Sequence, residues 1–285
     1  MVSELQPEDL LDFYINRIKE RKDWLYDESS WAFYNYTEQE KQYIISEYES
    51  LEGPLEVGYH EGWVQANEQL PTLLKYGIIL LSFMLAGIFS DEFTLKTDAV
   101  YYNTFLGRTK ATAVKIILGF FTITMVYWLS TGVYSLIVFS TLGTAGADCM
   151  LQSHAAYWFI RDNMTLFQKY TMSLTSGYVG YLFIGFLVMW ISAKTKSAVL
   201  AVLIPSLIIL LPDYLSADRS SFMFYVIGLL PNRLLDFGEA LSYLILYPIG
   251  NRVLTSGSII LAFYPFTTVL LVFLCYRTYR HKQIT

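Results

Sequence analysis

The chain has 285 residues, of which 54% are hydrophobic in type and only 16% are charged, against about 25% charged in an ordinary soluble domain. Residues 1–70 carry 16 Asp and Glu but 5 Lys and Arg, whereas the remainder carries 9 and 15. An acidic head on a basic, apolar body excludes a nucleic-acid binder, which needs clustered cations to displace counterions from phosphates.

Residues 1–70 are expected to form an acidic, helical, extracytoplasmic segment. The opening MVSELQPEDLLDFY is acidic and lacks the long apolar stretch of a cleavable signal peptide. Leu11, Tyr14, Ile15 and Ile18 recur at helical spacing, and Trp24, Tyr26, Trp31, Phe33, Tyr34 and Tyr36 make residues 8–50 strongly aromatic. Such a segment suits either a cap resting on lipid headgroups or a solvated spacer. Gly53-Pro54 marks a turn at its end.

A hydrocarbon core about 30 Å thick needs roughly 20 apolar residues in a helix rising about 1.5 Å per residue. Five segments within 71–285 approach that requirement: Leu73–Ser90, Ile116–Phe139, Met172–Ala193, the short Ala198–Pro212 with its Pro205, and Ser258–Tyr276. Lys75 falls near one end of the first, where its amine can snorkel to the interface. The apolar region 222–250 contains Arg233, Asp236 and Glu239, and Pro231 and Pro248 interrupt it. Each charge would cost about 2.5–3.5 kcal/mol at the centre of a lipid-facing helix. Two short re-entrant or interfacial helices are therefore expected there, with the charges at the water boundary; a sixth span is the alternative. The expected fold is an all-α membrane protein, a bundle of about five transmembrane helices with external re-entrant helices.

Lys96, Arg108, Lys110 and Lys115, then Lys194 and Lys196, then Arg277, Arg280 and Lys282 crowd three short stretches, whereas Arg161, Lys169, Arg219, Arg233 and Arg252 are spread over two long ones. The positive-inside rule then places 91–115, 193–197 and the C-terminus in the cytoplasm. With five spans, residues 1–70 fall outside; either a preceding helix is expected to have sent them there, or one of the five spans is not a span. Cys149 and Cys275 then lie on opposite sides and cannot pair.

The stretch IFSDEFTLKTDAVYYNTFLGRTKATAVKIILGFF, Ile88–Phe121, is the most informative. Asp91 and Glu92 close one span, a short amphipathic element follows, and Lys115 opens the next. Arg108 and Lys110 can pair with acidic groups of a cytosolic partner while Tyr101, Tyr102 and Phe105 fill a pocket in it, since aromatic and Arg anchors dominate interface energies. The same cations can instead serve only to set topology.

This stretch resembles the intracellular loop of type 2 ABC transporter permeases, in which an acidic residue follows the second span, then a Thr, then a Gly/Ser-Arg pair, then a Lys opening the third. Glu92, Thr97, Gly107-Arg108 and Lys115 match those positions. Leu51–Trp63 is similar to the external approach to the second span in bacterial members, and broken helices before the last span fit the paired re-entrant helices of the family. The likeness covers about residues 50–285, and the family's first span has no counterpart here. It implies a permease subunit of an ATP-driven exporter in the cell membrane, moving a drug, antimicrobial peptide or lipid. It also implies a second permease subunit, identical or related, and a cytosolic ATPase docking on Asp91, Glu92, Thr97, Asp98, Tyr101, Phe105, Gly107, Arg108, Lys110 and Lys115.

No G-x-x-x-x-G-K-[ST] phosphate cradle is encoded, so ATP and Mg belong to the partner ATPase and no cofactor is expected in this chain. H-E-x-x-H, a Cys/His cluster and G-x-S-x-G are also missing, and His60, His154 and His281 stand alone. No ionisable residue falls near a span centre, which argues against a proton-coupled pump or an ion channel. Ser173/Gly177 and Ser176/Gly180 permit close helix contact, within the chain or with a second permease. Two rival readings remain: a membrane-embedded enzyme using Asp148, His154, Arg161 and Asp162, and a membrane-anchored sensor or accessory subunit whose acidic head binds a ligand.

Overall fold

The computed structural model describes residues 7–50, 58–97, 107–154, 157, 160–242, 245–250 and 252–280. The expected turn at Gly53-Pro54 lies outside the described residues.

The acidic head folds as α1 (Pro7–Tyr26), α2 (Trp31–Asn35) and α3 (Glu38–Glu49). Ser30 caps α2 by accepting from the amides of Ala32 and Phe33, and Thr37 and Glu40 form a capping box on α3, so otherwise unpaired helix-start N–H groups are satisfied. Leu25, Ala32, Tyr36 and Ile44 bury one small core against Leu246.

The body begins with α4 (Glu61–Thr94), followed by a π-helical turn (Gly107–Ala111), α5 (Thr112–Leu142), α6 (Leu166–Thr195) and α7 (Ala198–Leu210). A 3-10 turn (Leu211–Tyr214), three short helices α8 (Phe222–Gly228), α9 (Asn232–Leu235) and α10 (Phe237–Ser242), a hairpin β1 (Leu246–Ile249) and β2 (Arg252–Thr255), and α11 (Ser256–Arg280) complete it. Among the described residues, four helices are long and apolar enough to cross a membrane: Glu61–Thr94, Thr109–Leu142, Leu166–Thr195 and Ser256–Arg280. They contain four of the five expected spans. The fifth, 198–212, folds as the 13-residue α7 with Pro205 inside it; at about 1.5 Å per residue it covers roughly 20 Å before the tighter 3-10 turn takes over.

The centre of the bundle is α6, which packs against α4, α5, α7, α9, α10 and α11. Small residues make this possible. A Cβ on Gly177 would lie 2.6 Å from Leu74, and one on Gly180 2.9 Å from Leu235. Ser173, Ser176, Gly177 and Gly180 are all buried within this chain, so the small-residue stripe serves internal packing.

The region 222–250 differs from the expected pair of helices. It forms three helical pieces and the first strand of an antiparallel hairpin with Leu246 opposite Thr255 and Ile249 opposite Arg252. Pro248 is tolerated because a two-stranded ribbon leaves an edge where a missing N–H breaks no ladder bond. The short helices also enter the body. The Ser176 hydroxyl donates to the Leu234 carbonyl at 2.9 Å, which puts α9 against the middle of α6.

Candidate functional site

The end of α4 gathers three of the residues expected to form the coupling loop. The Glu92 carboxylate pairs with the Lys115 ammonium, with both side chains largely buried. Lys115 also donates to the Ile88 carbonyl at 2.7 Å and lies 5.2 Å from the Phe89 ring centre and 5.4 Å from that of Tyr279. Thr97 closes the helix by donating its amide to the Glu92 carbonyl at 2.9 Å, and Lys96 adopts a left-handed φ of 55° to make that turn. The exit of α4, the entry of α5 and the last turn of α11 are thereby clasped together.

Gly107, Arg108 and Lys110 lie on the π-helical turn, and Lys110 is exposed. Asp91 is exposed and its carboxylate folds back over Gly87, at the mouth of a groove between α4 and α7 lined by Ile79, Phe83 and Val202. Asp98, Tyr101, Tyr102 and Phe105 lie outside the described residues.

A second constellation was not legible in the sequence. Lys75 is 18% exposed, lies near the middle of α4, and pairs with Asp213 at 2.9 Å and Asp236 at 3.8 Å. The Asn232 side-chain amide donates to Asp213 at 3.1 Å. Arg233 is buried beside them, bordering a 210 Å³ cavity with Asp213 and Ser216. Lys169 is buried with its ammonium 3.5 Å from the Tyr157 ring centre, in the field of Asp236 and Glu68. Lys75, Lys169 and Arg233 thus gather near the carboxylates of Asp236 and of the exposed Asp213 and Glu68. Arg233 is thus enclosed by protein, and Asp236 is partly so. The helix α4 starts twelve residues before the apolar run, so Lys75 lies well inside the helix rather than at its first turn.

The residues of the rival enzyme reading sit in different surroundings, apart from the neighbouring Arg161 and Asp162. Asp148 is exposed. His154 faces His60, with ring centres 5.3 Å apart, and Tyr157. Arg161 is buried against the Tyr43 ring of α3. Burial pushes the Asp162 carboxyl above its ordinary range, opposed by the charge of Arg161. Burial and the neighbouring His154 hold the His60 imidazole below its ordinary value. Among the described residues no group of three or more His, Cys, Asp or Glu is placed to hold a metal ion.

These features define a helical protein whose four long apolar helices suit a multi-pass membrane protein. Comparison with protein-family models, curated proteins and solved structures finds no match to this chain.

Proposed function

We propose that this chain is the permease subunit of an ATP-driven exporter that moves an amphipathic or lipid-like substrate across the cell membrane. The clasp of Glu92, Thr97 and Lys115 carries this reading: residues matching three positions of the type 2 permease loop meet at one helix end. A cytosolic ATPase binds the loop between α4 and α5 and supplies ATP and Mg, and a second permease subunit completes the path.

In this reading α4, α5, α6 and α11 cross the bilayer. The apolar α7 with its 3-10 turn makes the fifth, short crossing, and α8–α10 re-enter from the outer face, where the acidic head also lies. When the ATPase closes, it pushes on the loop. Because Lys115 ties α5 to α4, the two helices tilt as one unit. Lys75 passes that tilt through Asp213 and Asp236 to the end of α7 and to the short helices.

The test is co-purification. A P-loop ATPase comes down with the intact chain from its native membrane, and Arg108→Glu reduces its recovery by about tenfold or more, as expected when a central interface anchor is reversed. Recovery of no ATPase, or of one indifferent to Arg108→Glu, overturns the proposal.

A further inference from the structure

On the flank of the bundle formed by α5, α6 and α11 runs a groove of about 470 Å³, with Ile117, Phe120, Leu182, Phe186, Pro265 and Val269 among its walls. Thr268 also borders it, but its hydroxyl donates to the Tyr264 carbonyl at 2.7 Å and offers the groove only carbon. Water has no place there, since a bound water needs two to four polar partners. The groove is open to the side, with Val269 70% exposed and Ile117 53% exposed. On three helices long and apolar enough to cross a membrane, that side faces acyl chains.

One end of the groove is cationic. The π-helical turn bearing Lys110 packs against α11, and Arg277 and Arg280 are exposed on the last turn of α11. Lys110 precedes Ile117 by two helical turns and Arg280 follows Val269 by three, so both stand over the groove's own faces. Neither α5 nor α11 contains an Asp or Glu, and nearby Glu92 is already paired with Lys115. From Val269 to Arg280 the rise is about 16 Å, close to half of a ~30 Å core and hence to the depth of one leaflet.

We propose that this groove binds one anionic glycerophospholipid, with an acyl chain along its carbon-lined floor and the phosphate on Lys110, Arg277 and Arg280. The proposal rests on the bilayer placement of these helices and not on transport. Simple topology-setting cations would attract anionic lipid diffusely. A built site holds one molecule, and filling the groove evicts it.

The test uses the full chain in detergent, titrated with phosphatidylglycerol or phosphatidylcholine and read by native mass spectrometry. The chain is expected to retain one phosphatidylglycerol at about tenfold lower concentration than phosphatidylcholine, as three membrane-surface cations would give at the least. Val269→Trp fills the groove and removes the bound lipid. Arg277→Ala with Arg280→Ala keeps lipid binding but brings the two lipids close to parity. Melting in lipid-free detergent shows that both variants fold, since all three positions are exposed. Equal retention of the two lipids by the unaltered chain overturns the proposal. So does an undiminished phosphatidylglycerol adduct on Val269→Trp, or an unchanged preference in the double arginine variant.

Discussion

The Lys115 ammonium is held at once by the Glu92 carboxylate, the Ile88 carbonyl and the rings of Phe89 and Tyr279. Breaking such a buried pair from one side leaves an uncompensated charge and costs about 3–5 kcal/mol, whereas apolar residues at both positions cost far less. Glu92→Gln should therefore lower the melting temperature in detergent markedly, and Glu92→Leu combined with Lys115→Met should recover most of the loss. His60 predicts a pH dependence. Its imidazole stays neutral in the fold below the ordinary value of 6.5, because burial and His154 disfavour the charge. The unfolded chain takes up the proton first, so its stabilising effect is complete above 6.5 and is lost as pH falls from there toward the depressed folded value. Melting curves across that window should show the decline, and His60→Gln should flatten it.

Where α4 starts, Gly62 packs against the end of α5 so closely that a Cβ would collide with the Gly143 carbonyl oxygen. Gly62→Ala should destabilise by about 1–3 kcal/mol, the usual range for overpacking. Gly58→Ala, with nothing within 4 Å, should change the melting point little. The head is held by the Arg219–Glu40 pair at 2.7 Å, with side chains only 4% and 3% exposed. Arg219→Ala should cost about 3–5 kcal/mol, read as faster proteolysis within residues 7–50 than within the bundle. The long helices are legible in the sequence because their apolar runs are nearly uninterrupted. The first turns of α4 are not, because Gln65, Asn67, Glu68, Gln69 and Pro71 look like a loop. The structure recruits them by burying Trp63, Val64, Ala66 and Leu70 on one face, and by letting Asn67 donate to the carbonyls of Trp63 and Leu166. The hairpin had a signal in Gly250-Asn251 between two short apolar runs, and Gly250 indeed takes a φ of 62°. The Lys75 cluster had none, because its partners are brought in by the fold from 213 and 236. The Glu92–Lys115 clasp is half legible: both residues stand out by position in the sequence, but 22 intervening residues hide their pairing with each other.

Across the whole molecule, charge and topology make one prediction. The loop near Gly107 and the exposed Gly58 lie toward opposite ends of the bundle, since α4 runs from one to the other. With the cysteines Cys149 and Cys275 already buried, a membrane-impermeant thiol reagent added to intact cells should label Gly58→Cys strongly. It should label Gly107→Cys at least about tenfold less until the membrane is opened, as the Lys and Arg bias of the loops requires. The reverse pattern would invert the molecule and remove the basis for an ATPase at that loop.

The hairpin has a further consequence. β2 ends at Thr255 and α11 begins at Ser256, so no hinge separates them, and Leu246 of β1 is buried in the core of the head. Torque applied to the head reaches α11 directly, and the far end of α11 presents Tyr279 to Lys115. An antibody fragment that twists the acidic domain would thus be felt along the whole of α11, as a crank turns its shaft.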